Sequence, residues 1–273
     1  MNRTVVDRSG SDRARRRPPA LVALATAVAL AFFVVPLIGI VERANWSTIW
    51  SDLSSEEARS ALRLSLLCSV AAAGISIVLG TPLAWVLARA SIPGRSLMRG
   101  VVLLPMVLPP VVGGVALLSA FSLRSPIGGW LDDALGIQLT YSPVGSVLAE
   151  TFVAMPFYVI TVEAAFRTMD RRYEETAAGL GASRATVFRR VTLPLVLPSV
   201  VGGAVLAWAR ALGEFGATIT FAGNIEGRTR TLPLAVYLEL ESNRDAAVAL
   251  SLVLLVVSLA VMVSLRDRWL AQP

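Results

Sequence analysis

The sequence contains no histidine and no lysine, so all 25 basic residues are arginines, and its single cysteine is Cys68. Without lysine, the chain lacks the residue with which a P-loop contacts the β- and γ-phosphates of ATP. Without histidine, it has no His-based catalytic triad, no histidine general base and no His-containing zinc site. One cysteine cannot form a disulfide within the chain. Most enzyme classes are therefore excluded, and we predict no catalytic residue, no metal site and no cofactor on this chain.

Charged side chains are also scarce, at 16%, whereas 55% of the 273 residues are hydrophobic. Soluble domains carry about 25% charged residues, so this balance predicts a membrane protein. A helical span needs about 20 apolar residues. Six segments meet this length: 20–41, 61–88, 100–121, 145–166, 194–221 and 246–265. We predict an all-α, multi-pass integral membrane protein with about six transmembrane helices that contact lipid.

The distribution of arginines predicts the orientation of these spans. Six arginines precede the first span, three lie between the second and third, six between the fourth and fifth, and two after the sixth. Seven fall in the other connections or at span ends, and Arg210 lies within the fifth span. Because cytoplasmic loops are enriched in basic residues, both termini are predicted to be cytoplasmic. The domain prediction is a disordered Arg-rich tail (1–19), a transmembrane domain (20–265) and a second cytoplasmic tail (266–273).

The net charge of +6 raises the alternative of a nucleic-acid partner. The arginines lie in connections beside apolar spans, as membrane orientation requires, rather than along one soluble face. We therefore predict no nucleic-acid binding.

Two segments of the sequence resemble each other. Residues 104–114 match residues 193–203 at nine of eleven positions, including prolines and a pair of glycines. A duplication would be consistent with a transporter fold. Alternatively, proline suits the start of any helix and paired glycines suit close helix packing. The sequence leaves both interpretations open.

The connection at 167–193 has the pattern of two short helices rather than a simple linker. A first helix is predicted to end at Gly181, which suits the left-handed position after a helix. Ser183 can then cap a second helix, which should stop before Pro194. We expect exposed arginines on it beside exposed apolar side chains, forming a surface that docks into a partner protein: Arg184, Arg189 and Arg190 beside Val187 and Phe188.

The spacing within this connection resembles the EAA loop of permeases of ATP-binding-cassette (ABC) importers. Glu175 starts the pattern, Gly181 follows six residues later, and Val191, Leu193 and Pro194 complete it. The resemblance implies a type I ABC-importer permease fold, in which this loop forms the coupling helix that docks into an ATP-binding subunit. The residues implied at this site are Glu175, Thr176, Ala177, Gly181, Ala182, Ser183, Arg184, Val191, Leu193 and Pro194. Thr176 and Val191 depart from the family's Ala and Ile, and an ordinary helix–turn–helix connector is the alternative.

The fifth predicted span carries two ionisable residues, Arg210 and Glu214, four positions apart and hence on one helix face. Ionisable residues at membrane depth are costly and indicate a function. Arg210 could contact a passing oxyanion, or it could pair with Glu214 and fix helix packing. A permanent pair would neutralise the site, which favours packing. The candidates for either role are Arg210, Gly213, Glu214, Thr218 and Thr220.

The stretch 209–233 resembles molybdate and tungstate permeases, whereas sulfate permeases share its Gly-Glu-Phe-Gly core but differ after it. The resemblance implies an ATP-driven molybdate importer in the cytoplasmic membrane, with this chain as a homodimer. Its implied partners are two ATPase subunits, which hold ATP and Mg²⁺, and an outer molybdate-binding protein. A sulfate or tungstate permease is the alternative. A secondary anion transporter would need coupling carboxylates such as Glu150, Glu163 and Glu214.

Overall fold

The computed structural model describes residues 19–270, without the side chains of 262 and 264–270. Regular structure within these residues is entirely helical, with thirteen α-helices and a π-helical turn at Phe188–Thr192. The α-helices are α1 (Ala20–Glu42), α2 (Ile49–Ser54), α3 (Glu56–Arg89), α4 (Arg95–Val107), α5 (Pro110–Phe121), α6 (Pro126–Leu135), α7 (Pro143–Thr168), α8 (Arg172–Gly179), α9 (Arg184–Val187), α10 (Leu193–Leu212), α11 (Gly216–Phe221), α12 (Leu232–Ser242) and α13 (Arg244–Leu270). Of the predicted tails (1–19 and 266–273), residues 1–18 and 271–273 lie outside the described residues, and α13 extends past the predicted span end at 265.

Five helical segments in the described chain are long and apolar enough to cross a membrane. They are α1, α3, α7, the run Arg184–Leu212 and α13. The bent pair α4 and α5 would make a sixth span. This agrees with the prediction of an all-α protein with about six spans. The chain forms two compact units, Met1–Arg43, which contains α1, and Ala44–Pro273, which contains the other helices.

Local sequence fixes where α6 and α7 begin, because both open with Ser-Pro-x-Gly. The serine hydroxyl accepts a hydrogen bond from the glycine N–H, at 3.0 Å for Ser125 and Gly128 and at 3.1 Å for Ser142 and Gly145. This satisfies one of the N–H groups that a helix start leaves without a partner. The proline occupies the first helical position, where no N–H is needed.

The second unit is centred on a bundle of α3, α7 and α10. Tyr158 of α7 is fully buried there, and its hydroxyl shares a 2.6 Å hydrogen bond with Thr81 of α3. Two glycines let the neighbouring helices approach its ring. A Cβ at Gly80 would lie 2.6 Å from Tyr158 Cδ1, and one at Gly203 of α10 would lie 3.3 Å from Tyr158 Cδ2. Small residues at such crossings allow close helix packing in membranes.

Gly80→Ala is expected to destabilise the folded protein by about 1–3 kcal/mol, because the added methyl group displaces a ring that is held by packing and by Thr81. Gly74 lies in the same helix and is the matched control, since a Cβ there would meet no described atom within 4 Å outside its own helix. Thermal unfolding in detergent measures the effect. Equal midpoints for Gly80→Ala and Gly74→Ala would contradict this account of the bundle.

The predicted span at 100–121 is broken rather than continuous. Helices α4 and α5 meet at an angle of 118° across Leu108 and Pro109. Pro109 has φ −53° and ψ 133°, which is outside the helical region. Pro110 favours this conformation, because a proline ring disfavours the helical conformation of the residue before it.

The second copy of the repeated segment behaves differently. It forms the start of α10, and Pro198 lies inside that helix without a comparable break. Ser199 follows Pro198, where Pro110 follows Pro109 in the first copy. Serine leaves the preceding residue free to be helical. The two copies thus have different conformations, and Pro110 is the local sequence difference that favours the break in the first copy.

The predicted span at 194–221 is also interrupted. Helix α10 ends at Leu212, and α11 starts at Gly216. Gly216 packs against the start of α5, where its Cβ would lie 2.8 Å from Pro110 Cβ. The interruptions of the two spans therefore meet in space.

Candidate functional site

The predicted turn at Gly181 is present. Gly181 has φ +85°, in the left-handed region that favours glycine. Its N–H donates to the Ala178 carbonyl at 2.9 Å, and the Ala182 N–H donates to the Ala177 carbonyl at 3.1 Å. These two bonds define a Schellman motif, in which a helix end satisfies its own free carbonyls. Helix α8 therefore ends through a turn that depends on one glycine.

Ser183 caps the second helix as predicted. Its hydroxyl accepts a hydrogen bond from the Thr186 N–H at 3.2 Å. The predicted stop before Pro194 is wrong, because α9 continues through the π-helical turn into α10. The Leu193 N–H bonds to the carbonyl of Phe188, five residues back. This wider turn brings the chain into α10 with Pro194 in its first turn, where proline is tolerated.

The surface of this connection differs from the prediction. The three arginines are exposed, but Val187 is only 9% exposed, and half-buried Phe188 packs on the α3–α7–α10 bundle. Val187 ends α9 and Phe188 begins the π-helical turn that leads into α10, so both lie where the connection joins the rest of the protein. The exposed apolar side chains are Leu180, at 85%, and Tyr173. Sequence reasoning missed both, although Leu180 directly precedes Gly181.

The structure separates the predicted loop residues into a tip and a stem. The tip, residues 175–184, has its side chains exposed apart from partly covered ones such as Ala177 and Ala182. The stem, residues 191–194, joins α10, and Val191 and Leu193 are half-buried while Pro194 is exposed. The ten predicted residues therefore do not form one surface.

Glu174, which the sequence analysis did not select, fastens α8 to the bundle. The Thr192 hydroxyl donates to Glu174 Oε1 at 2.7 Å. Arg89 Nη2 lies 3.9 Å from Glu174 Oε2 and donates to the Met169 carbonyl at 3.2 Å. The Arg89 side chain, the last of α3, is only 8% exposed. These contacts join residues distant in sequence, and no local pattern marks them.

The pair proposed between Arg210 and Glu214 forms. Arg210 Nη1 lies 2.7 Å from Glu214 Oε2, and Glu214 is 1% exposed. Glu214 Oε1 also accepts a hydrogen bond from the Ala217 N–H at 2.8 Å. The carboxylate therefore lies in the break between α10 and α11, where it holds Arg210 and caps the start of α11.

The other fifth-span candidates surround this break. Gly213 directly follows α10 and is exposed, whereas Thr218 is fully buried, and its hydroxyl has no partner among the described residues. The Thr220 hydroxyl donates to the Gly216 carbonyl at 2.8 Å.

Two further carboxylates lie at buried positions of α7. Glu163 pairs with Arg99 of α4 and lies 3.7 Å from Arg167. Glu150 is 1% exposed, and its Oε2 has no hydrogen-bond partner within the described chain. With two arginines beside it, Glu163 has the environment of a structural ion pair.

Comparison with known proteins identifies the family. The family model described as the binding-protein-dependent transport system inner membrane component matches residues 77–272. The chain belongs to this family. It is a multi-pass permease subunit of the cell membrane and is not itself an enzyme. The matched region includes α8, the Gly181 turn and the Arg210–Glu214 pair.

Similar proteins cover almost the whole permease. The molybdenum transport system permease protein ModB of Mycobacterium tuberculosis is 48% identical over 252 residues, which are 92% of this chain and 94% of that protein. The sulfate transport system permease protein CysT of Salmonella typhimurium is 35% identical over 236 residues, 85% of each chain. Among solved structures, a bacterial ABC transporter involved in the import of the acidic polysaccharide alginate matches with a TM-score of 0.71. That match has 19% identity and covers 93% of this chain and 95% of the other. It shows that the permease has an ABC-importer fold.

Proposed function

We propose that this permease carries molybdate into the cell as the membrane-spanning subunit of an ABC importer. The observation that carries the proposal is its 48% identity, over 92% of the chain, to a molybdenum transport permease. The sulfate transport relative is less similar, at 35%. The break between α10 and α11 lies in the stretch 209–233 that resembles molybdate and tungstate permeases.

The connection 167–193 lies in the cytoplasm and docks the ATPase. In this orientation both termini are cytoplasmic and most arginines face inward, as the positive-inside tendency requires. The docking surface combines Leu180, Glu175 and Arg184 of the tip with exposed Tyr173, which lies just before the tip on α8. An apolar centre with a charged rim is the usual composition of a protein interface.

The complete importer contains two copies of this permease, two ATPase subunits and an outer molybdate-binding protein. ATP and Mg²⁺ bind the ATPase subunits, since this chain has no lysine for a P-loop. Closure of the ATPases draws the two tips together and turns the pathway from inward-open to outward-open. The binding protein then releases the anion into the pathway.

Within the permease, the Arg210–Glu214 pair has a packing role. Glu214 neutralises Arg210 at 2.7 Å and caps α11. Because the Arg210 guanidinium is paired with a buried carboxylate, its positive charge is partly neutralised and attracts an anion less strongly. A pathway also works best when it does not hold its cargo tightly.

Labelled molybdate uptake tests the proposed function. Transport-deficient cells would express this chain with its ATPase and binding protein, with and without excess sulfate and with and without ATP depletion. We expect uptake that requires ATP and resists sulfate.

Each other outcome identifies a specific error. Uptake abolished by excess sulfate would identify a sulfate permease. Uptake that persists without ATP would indicate a secondary transporter and overturn the proposed coupling. Absence of uptake despite normal insertion of all subunits would overturn the substrate assignment, while the membership of the permease family would stand.

A further inference from the structure

Helix α8 carries the proposed docking tip, yet few of its side chains contact the rest of the protein. None of its eight residues is buried. Only Glu174 and Ala177 are even partly covered, and the side chains around them face outward. A force applied to α8 by a partner therefore reaches the bundle through few contacts, and Glu174 makes the polar ones.

The two oxygens of Glu174 reach different parts of the bundle. Oε1 accepts a hydrogen bond from the hydroxyl of Thr192, which is 1% exposed and directly precedes α10. Oε2 lies 3.9 Å from Arg89 at the end of α3. Arg89 in turn donates to the carbonyl of Met169, the residue directly after α7. Through one carboxylate, α8 is connected to the ends of all three helices that pack around Tyr158.

The hydrogen bond between Thr192 and Glu174 is expected to be strong for two reasons. A hydrogen bond to an ionised carboxylate is shorter and stronger than one between neutral groups. Because Thr192 is buried, water has little access to compete for its hydroxyl. The other acidic cluster at this end, Glu163 with Arg99 and Arg167, joins α4 to α7 and does not include α8.

We infer that Glu174, Thr192 and Arg89 form a latch through which movement of α8 is transmitted to α3, α7 and α10. Glu174 is thus a positioning residue that acts from the inner side of α8, whereas the tip residues act on its outer side. The inference rests on the proposed function, because it assumes that α8 receives a force from the ATPase.

Thr192→Val tests the latch, since valine keeps the shape of threonine and removes the hydroxyl. Thr192→Ser keeps the hydroxyl and is the conservative rescue. Thr168→Val is the matched control, because the Thr168 hydroxyl bonds only to carbonyls of its own helix. In the reconstituted complete importer, we expect Thr192→Val to insert and to bind the ATPase normally. Molybdate transported per ATP hydrolysed should fall about tenfold, which corresponds to the lower end of the free energy of a hydrogen bond to a charged group. Thr192→Ser and Thr168→Val should match the wild type.

A second readout needs no substrate. Amide hydrogen exchange across residues 172–179 should be about tenfold faster in Thr192→Val than in Thr168→Val, because α8 loses its attachment. Glu174→Ala, which removes the accepting oxygens, should have at least the same effects. Adding Thr192→Val to Glu174→Ala should change little further, because the contact between the two residues is already lost.

The latch and the proposed function fail in different ways. The latch is wrong if Thr192→Val leaves both transport per ATP and α8 exchange unchanged, or if the effects of Glu174→Ala and Thr192→Val add fully. The proposed docking is wrong if Leu180→Glu leaves ATPase binding intact. A wrong substrate would give no uptake in the wild type as well, and the exchange measurement would then decide the latch alone.

Discussion

Arg210→Ala is expected to lower the yield of folded protein in the membrane severalfold. The substitution leaves Glu214, which is 1% exposed, without the cation at 2.7 Å that neutralises it. Breaking a buried ion pair on one side costs about 3–5 kcal/mol, a large part of the usual stability of a protein. The fraction of monodisperse protein after detergent extraction, measured by fluorescence-detected size exclusion, should fall severalfold.

The double variant Arg210→Met with Glu214→Gln separates packing from a pathway role. It removes both charges, and glutamine keeps an oxygen that can accept the Ala217 N–H. Replacing both members of a buried pair is often neutral for stability, so folded yield should recover. Recovered uptake would support packing, whereas normal yield without uptake would assign Arg210 to the anion pathway. Normal yield of the single Arg210→Ala variant would contradict the packing role at once.

Gly181→Val is expected to reduce molybdate uptake at least about tenfold while the protein still inserts. Gly181 has φ +85°, and a left-handed conformation costs an ordinary residue about 1–2 kcal/mol and a β-branched one more. No described atom lies within 4 Å of a Cβ added at Gly181, outside its own chain neighbours. The effect should therefore come from the backbone of the turn alone, which sets the direction of the tip. Uptake and ATPase activity, each normalised to membrane yield, measure it.

Two variants control for this substitution. Gly179→Ala lies two residues away at a helical position with equally open surroundings, and it should behave as the wild type. Gly181→Asn should retain more uptake than Gly181→Val, because asparagine tolerates the left-handed region better than other side chains. Normal uptake in Gly181→Val would remove the turn from the coupling mechanism.

Features encoded within a few residues could be predicted from the sequence. The spans follow from long runs of apolar residues, because a soluble domain of this size could not bury so many apolar side chains. The Gly181 turn and the Ser183 cap follow from the backbone preferences of those residues. The Arg210–Glu214 pair follows from a four-residue spacing. Each depends on side chains that meet within one or two helical turns.

The breaks in the two spans could be predicted from the sequence only in part. The Pro109–Pro110 pair is a local signal for a non-helical residue, and it favours a helix end within the third predicted span. The 118° angle between α4 and α5 is not local. It reflects where α5 packs, including its contact with Gly216 of another span.

The sequence by itself determined the membrane class, the number of spans and the conformation of the α8–α9 turn, because these depend on hydrophobicity and on local backbone preference. Only the tertiary structure decided which face of the loop is apolar and exposed, and that Glu174 meets Thr192 and Arg89. Those contacts join residues 18 and 85 positions apart. Residues so far apart in sequence meet only because whole helices pack around Tyr158. No short sequence pattern predicts which side chains this packing brings into contact.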